Sequence, residues 1–156
     1  MIEGKDYWIK VKEESALMRF WAWVQFWNPD FLMRYHVTVF RTIYSPGGKI
    51  SGATLEHELQ HIRDFQKYHV WYLFSYAFLL PFGWTMRAHW ERRGYMHNIR
   101  AWVKRNRGAD TKPLQDFMVR EFCTSRYFWM WPNEKAVRQW VVNSVIQLEK
   151  DPEVGE

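Results

Sequence analysis

Residues 56–66 (EHELQHIRDFQ) place two histidines four positions apart, with a glutamate directly after the first. On a helix, side chains at positions i and i+4 lie on one face, so the rings of His57 and His61 can bind one tetrahedral ion. Glu58 is rotated by about 100° from His57, and its carboxylate can reach a metal-bound water without being a ligand itself. This spacing indicates a zinc site with a general base. The alternative is a polar helix face with two hydrogen-bonded histidines beside a salt-bridging glutamate.

Two histidines leave a tetrahedral zinc ion without a third protein ligand. Asp64 is on the same predicted helix but lies about 10.5 Å along the axis from His57, too far to close the same ion. The third ligand must therefore come from another element, and the downstream candidates are His69, His89, Glu91 and His97. Glu91 is favoured because it lies on a second predicted helix that can run back across the first.

The segment before the motif predicts a strand and a turn. Residues 35–44 (YHVTVFRTIY) are dense in β-branched and aromatic side chains, and Ser-Pro-Gly-Gly follows them. We expect one or two strands at the edge of a small sheet, then a helix over residues 53–68 that Ser51 or Thr54 caps. A sheet edge placed there can hold an extended peptide by main-chain hydrogen bonds. His36 is expected to be a hydrogen-bonded sheet histidine, not a ligand.

Helical periodicity predicts further elements on both sides of the motif. The first is an amphipathic helix over residues 13–27, whose apolar face is expected to be core: Leu17, Phe20, Trp21, Val24 and Trp27. Residues 84–104 predict a second helix, although Gly94 leaves its continuity open. Asn133 is expected to cap a last helix, which has one apolar face: Val137, Trp140, Val141, Val145 and Leu148.

The most apolar run, residues 70–84, is too short for a membrane span. As a helix it covers about 22 Å, against a hydrocarbon core of about 30 Å. Pro81 and Gly83 shorten its regular part further. We expect a buried or interfacial helix and no transmembrane anchor.

The composition indicates a globular chain of 156 residues, with 47% apolar residues, a net charge of +5 and a pI near 9.4. Its densest basic stretch, residues 100–112, is typical of a solvated helix end, so we expect no specific nucleic-acid partner. The lone Cys123 forms no intramolecular disulfide. The start lacks the basic and apolar segments of a signal peptide, which predicts a cytoplasmic protein.

The order of these elements predicts a mainly helical α+β fold. A small sheet or hairpin precedes the HExxH helix, and a second helix carries the third ligand. We expect a single domain over residues 1–150, with a flexible tail over residues 151–156.

The ordered set of motifs resembles small bacterial and phage zincin-like metallopeptidases of the gluzincin type. The resemblance spans roughly residues 35–140 and rests on four stretches: TIYSP (42–46), HELQHIRDFQ (57–66), MRAHWERRGYMHNI (86–99) and RYFWMWP (126–132). Two departures are visible. Gly94 stands where alanine is usual, and no aspartate follows four positions after Glu91, as it does in larger gluzincins.

Together with the spacing, the resemblance implies a zincin-like domain that binds one Zn²⁺ ion. His57, His61 and Glu91 would be the protein ligands, with a water as the fourth, and Glu58 would be the general base. Zinc lowers the pKa of its bound water toward about 7 and polarises the scissile carbonyl.

Other polar residues have open roles around this site. A stabiliser for the developing oxyanion is needed, and the candidates are Tyr95, Arg87, Tyr127 and His97. Tyr95 is the first choice because it lies one helical turn beyond Glu91, with a plain core aromatic as the alternative. Arg63 and Asp64 could orient His61, but a surface ion pair is favoured.

The sequence therefore predicts a zinc-dependent peptidase acting on a protein or peptide substrate. One alternative is a non-catalytic module that zinc stabilises, such as a component of a phage virion or another protein complex, with the surplus Trp and Tyr as its partner surface. The other is a peripheral membrane protein that uses residues 70–84 and nearby basic side chains.

Overall fold

The computed structural model describes residues 2–4, 7–24, 26, 29–77, 86–124 and 129–151. The chain divides into two compact units, Met1–Lys67 (unit 1) and Tyr68–Glu156 (unit 2). The described elements form a mainly helical α+β fold, which confirms the predicted fold class. The zincin-like arrangement and the single-domain extent stay predictions.

Unit 1 contains a four-stranded sheet. Its strands are β1 Ile2–Gly4, β2 Tyr7–Val11, β3 Val37–Val39 and β4 Thr42–Ser45. Their order is β1-β2-β4-β3, so β3 is an edge among the described strands. The β2–β4 pair is parallel, while the β1–β2 and β3–β4 pairs are antiparallel. The predicted strand segment is therefore confirmed as β3 and β4, whereas β1 and β2 were not predicted.

One face of this sheet fixes the motif helix. Ile9 on β2 pairs with Ile43 on β4, and both side chains are buried in a cluster with Ile62 of the helix. Leu55 and Leu59 pack against the same cluster. Because positions 55, 59 and 62 lie on one helical face, the sheet determines which way the rest of the helix points.

The helix before β3 differs from the prediction. Helix α1 runs over Ala16–Val24 and buries Met18, with Ala22 beside it, against Phe31 and Tyr44. Phe31 begins the short helix α2, Phe31–Arg34.

Three of the five residues predicted to be core are exposed instead, and Val24 is half-buried. Leu17, Phe20 and Trp21 are exposed, and Trp23 is 74% exposed. Because α1 is apolar on nearly every side, its periodicity could not determine which face is buried. Trp27 lies outside the described residues.

Helix α3, Gly52–Ala77, contains the motif and has a break at His69, where φ is 47° and ψ is −123°. The first segment matches the predicted helix over residues 53–68. In the second segment Val70, Trp71 and Phe74 are exposed, while Tyr72 and Ser75 are buried. The rest of the apolar run, residues 78–85, lies outside the described residues. Of the described helices, none combines the length and the apolar character that crossing a membrane requires.

Unit 2 is built on three long helices: α4 Met86–Arg105, α5 Lys112–Cys123 and α6 Glu134–Glu149. Helix α4 continues without a break through Gly94, which is buried. The predicted cap of α6 is confirmed, because Asn133 Oδ1 accepts a hydrogen bond of 3.0 Å from the Ala136 backbone N–H. The five residues predicted for the apolar face of α6 are all buried.

Candidate metal centre

The first segment of α3 presents three buried functional side chains, His57, Glu58 and His61. The helix begins where Ser51 O accepts a hydrogen bond of 2.7 Å from the Leu55 backbone N–H. Because the apolar face of the segment is held against the sheet, these three side chains have a fixed direction. The local sequence thus places them and the packing restrains them.

The two histidine rings lie close enough to bind one ion, and the same contact also has the length of a hydrogen bond between them. Their Nε2 atoms are 3.1 Å apart, and the rings meet at 73° with their centroids 4.9 Å apart. Two nitrogens bound to one tetrahedral zinc at 2.0–2.1 Å would be about 3.3 Å apart. The observed separation is close to that value, so little rearrangement is needed for both rings to reach one ion.

Glu91 of α4 completes the group. Its side chain is buried, and the ligand atoms of His57, His61 and Glu91 all lie within 4.8 Å of one another. Of the four candidates for the third position, the structure brings Glu91 to the histidines, and His69, His89 and His97 are not part of the group. A buried set of two imidazoles and one carboxylate could hold a metal ion.

Glu91 has a hydrogen-bonding partner that the sequence did not predict. The hydroxyl of Tyr76, in the second segment of α3, donates to Glu91 Oε1. Tyr76 and Glu91 are 15 positions apart, and no periodic signal links them. Next to this contact, the indole of Trp90 donates a hydrogen bond of 2.9 Å to Ser75 Oγ and packs on the ring of Tyr72. These contacts hold the carboxylate in one orientation.

Glu58 lies beside the histidines without joining the ligand group. Its Oε2 accepts a hydrogen bond of 2.6 Å from the hydroxyl of Thr38, on the edge strand β3. This contact restrains the carboxylate and leaves its other oxygen for a further partner. The sequence did not predict a role for Thr38 either.

A buried lysine supports the segment that leads into β3. Lys12 Nζ donates to the carbonyls of Phe31 and Tyr35 and lies 3.6 Å from the centroid of the Phe31 ring. Burial lowers the pKa of Lys12 to about 8, although the carboxylates of Glu13 and Glu58 oppose this shift. A desolvated cation therefore lies in the electric field of Glu58.

His36 is not the satisfied sheet histidine that we expected. Its Nδ1 is buried and has no hydrogen-bond partner among the described residues. Burial lowers the pKa of His36, the charge of Glu58 opposes this effect, and the charges of Lys12 and His57 add to it. The prediction failed because His36 lies just before β3, outside the hydrogen-bonded ladder.

The surroundings of Tyr95 match one of the two roles that the sequence left open for it. The Tyr95 ring packs on Phe122 in the core of unit 2, with centroids 5.3 Å apart. This matches the core-aromatic alternative, and an oxyanion role for Tyr95 stays a prediction.

Arg63 pairs with Glu56 on the surface at 3.3 Å. Asp64 is buried and accepts from Gln60, so a surface pair for Asp64 was wrong.

Of the remaining oxyanion candidates, Arg87 contacts Tyr76, the hydrogen-bond partner of Glu91, and oxyanion roles for Arg87 and His97 stay predictions. Arg87 lies over the ring of Tyr76, 5.2 Å from its centroid. Tyr127 lies outside the described residues.

Comparison of the chain with protein-family models, with curated proteins and with solved structures finds no match. The resemblance to zincin-like metallopeptidases therefore stays a hypothesis, and the case for a function rests on the residues of the candidate site.

Proposed function

We propose that the protein is a zinc-dependent peptidase. The observation that carries the proposal is the buried group of His57, His61 and Glu91, whose ligand atoms lie within 4.8 Å of one another. Two imidazoles and one carboxylate, with a fourth position left for water, are a ligand set of catalytic zinc sites. The same donors also suit iron(II), so the identity of the metal is part of the test.

The side chains around the group support hydrolysis. Glu58 would accept a proton from the attacking water at one carboxylate oxygen while Thr38 holds the other. Tyr76 would fix Glu91 through its hydroxyl. When bound, the metal would supply a lowered water pKa and a polarised carbonyl.

The edge strand supports a peptide substrate. β3 pairs with β4 on one side and is a sheet edge among the described strands. Thr38, in the middle of β3, contacts Glu58, so main-chain groups of this edge lie near the proposed base. An extended protein or peptide segment could add to β3 and present its backbone carbonyls there.

The first experiment is elemental analysis of the protein purified without added metal. We expect one zinc ion per chain in the wild type and loss of zinc in His61→Ala and Glu91→Ala. His89→Ala is the matched control, because His89 is on the same helix as Glu91 but outside the ligand group. Retention of stoichiometric zinc in both ligand variants would contradict the proposed site, and stoichiometric iron would contradict the zinc assignment.

The second experiment separates catalysis from metal binding. Glu58→Gln keeps the shape of the side chain and removes the base. We expect this variant to retain the metal and to lose hydrolysis of unfolded protein substrates by a factor of about 100 or more. Equal activity in wild type and variant would contradict the role of Glu58.

A non-catalytic zinc-stabilised module, such as a component of a phage virion or another complex, remains the main alternative. It predicts that His61→Ala lowers the melting temperature, whereas Glu58→Gln changes neither stability nor any measured activity.

Peripheral membrane binding is favoured by one observation, the exposure of Val70, Trp71 and Phe74 in the second segment of α3. Co-sedimentation with vesicles rich in anionic lipid tests it. Trp71→Ser should then reduce binding, and absence of wild-type binding would exclude it.

A further inference from the structure

Unit 2 contains an open groove between α4 and α6 that the proposed function does not use. Its volume is about 800 Å³. The α4 wall carries three basic side chains, His89, Arg92 and Arg93. The α6 wall carries Gln139, Asn143 and Gln147, and none of the described residues that line the groove is acidic. One wall is thus cationic and the other is neutral but polar.

Arg92 is the most unusual group in this groove. Its guanidinium lies over two indoles, 5.0 Å from the ring centroid of Trp131 and 5.1 Å from that of Trp140. Its Nε is buried and has no hydrogen-bond partner among the described residues, and burial lowers the pKa of Arg92. A partly desolvated cation that pairs with no carboxylate among the described residues favours an anionic ligand, and a guanidinium held between aromatic rings is preorganised to bind a carboxylate.

The three amides of the α6 wall form a ladder. Residues 139, 143 and 147 are four positions apart, so their side chains repeat at intervals of about 6.0 Å along the helix axis. In an extended peptide, every second residue repeats at about 6.6 Å. Gln139 Nε2 donates a hydrogen bond of 2.9 Å to Asn143 Oδ1, so the two amides are aligned along the wall. Each amide side chain offers both a donor and an acceptor, as a peptide main chain requires.

We propose that this groove binds an extended acidic peptide segment of a partner protein. The amide ladder binds the main chain of the segment, and Arg92 and Arg93 bind its carboxylates. The ladder from Gln139 to Gln147 covers about 12 Å, which matches about four residues of extended chain. The proposal does not depend on the metal centre, because none of the three proposed ligands lines the groove.

Charge and size favour a peptide over other anions. A nucleic acid presents regularly spaced phosphates along its length and is bound mainly by Lys and Arg, whereas the α6 wall of this groove is uncharged. A single phosphate or carboxylate ion is smaller than a cavity of about 800 Å³ and does not need the amide ladder.

The test uses the full chain and a short fluorescent peptide in which Glu alternates with Gly, measured by fluorescence anisotropy. The matched probe has Gln in place of Glu. We expect the Glu peptide to bind at least about 10-fold more tightly than the Gln peptide, with an affinity that falls as salt is raised. Absence of binding by the Glu peptide, or equal binding of both peptides, would overturn the proposal.

Four variants locate the binding. Arg93→Gln should weaken binding of the Glu peptide by about 10-fold, and Asn143→Ala should weaken it less. Arg92→Lys keeps the charge but loses the planar fork, and it should weaken binding more than Arg138→Gln. Arg138 is on α6, outside this groove, and pairs with Asp116. If Arg92→Lys does not fold, Arg93→Gln and Asn143→Ala still test whether the peptide binds in the groove. Equal weakening by Arg138→Gln and Arg93→Gln would overturn the assignment to the groove.

Two competitors identify the occupant. Displacement of the Glu peptide by inorganic phosphate or by a single-stranded oligonucleotide at lower concentration than unlabelled Glu peptide would overturn the peptide assignment. The chain's own end, DPEVGE (151–156), has acidic chemistry as well. Tighter probe binding by the double variant Glu153→Gln, Glu156→Gln than by wild type would identify that end as the occupant and overturn the partner proposal. Unchanged binding supports a partner.

Discussion

The two units of the molecule differ in what lies inside them. Among the described residues, unit 2 has one apolar cluster of fourteen buried residues, from Ala88 to Leu148. The described part of unit 1 has two clusters with three buried residues each. Among the described residues, unit 1 buries five charged or titratable side chains, whereas unit 2 buries two, Glu91 and Glu121. The five in unit 1 are Lys12, His57, Glu58, His61 and Asp64.

This difference indicates two ways of stabilising a small unit. Apolar burial is insensitive to pH and to metal ions, whereas buried polar groups stabilise only while their partners are present. We therefore expect unit 2 to respond mainly to changes in packing, and unit 1 to respond to metal and to pH.

The largest effect is expected from the core of unit 2. Phe122 is fully buried and packs against Tyr95, Trp131 and Trp140. We expect Phe122→Ala to lower the free energy of unfolding by about 3 to 5 kcal/mol, measured by urea denaturation followed by circular dichroism. Phe117, on the same helix but 37% exposed, is the control. Its replacement by Ala should cost about 1 kcal/mol, and equal losses would contradict the contrast.

Metal should stabilise the protein through the group of His57, His61 and Glu91. At a free zinc concentration 100-fold above its Kd, we expect the free energy of unfolding to rise by about 2.7 kcal/mol, and excess EDTA should remove the gain. His61→Ala should abolish the zinc-dependent gain, whereas Phe122→Ala should retain it. An equal gain in His61→Ala and wild type would show that zinc stabilises the chain from elsewhere.

Lys12 should make stability depend on pH. Its pKa is lowered from 10.5 to about 8, so between these pH values the unfolded chain holds a proton that the folded chain has lost. The free energy of unfolding should therefore rise as pH increases through this interval, by about 1 to 3 kcal/mol in total. Urea titrations across the interval should show that Lys12→Met lacks this rise. Phe122→Ala, which removes no titratable group, should keep it. A flat wild-type profile would exclude the effect.

The smallest effect concerns a helix cap in unit 2. Asn133→Ala removes the hydrogen bond to the Ala136 N–H, and we expect a loss of about 1 kcal/mol in the free energy of unfolding. Asn143→Ala, in the exposed middle of α6, should cost nothing or stabilise slightly, because alanine is the better helix former. If both substitutions cost the same, the cap does not act as described.

The sequence predicted the parts of the site that depend on spacing within one helix. His57 and His61 share a face because of the helical repeat, and that repeat alone places Glu58 beside them. Glu91 could be favoured as the third ligand because it lies on a second predicted helix that can run back across the first. Thr38 and Tyr76 could not be found, since each contact joins residues 15 or more positions apart and no periodicity records such a pairing.

The fold was predictable where local signals are strong. Ser-Pro-Gly-Gly ended β4, and Gly47 and Gly48 indeed have positive φ values of 57° and 68°. Asn133 began α6. Strands β1 and β2 were missed because three and five residues give too short an alternation to identify. The exposed face of α1 was misassigned because periodicity identifies a buried face only when the opposite face is polar. Few residues of α1 are polar.

The outward aromatic side chains of α1 have a practical consequence for the measurements above. Trp23 on α1 and Phe26, which follows the helix, are 74% and 82% exposed, and Phe20 lies beside Trp23 with ring centroids 6.1 Å apart. Dyes such as ANS report unfolding by binding newly exposed apolar surface. Such dyes should already bind the folded protein here. The fluorescence at the start of a dye-based melting curve is therefore high, and its increase on unfolding is small. Trp23→Ser should lower the initial dye fluorescence without changing the melting temperature measured by circular dichroism.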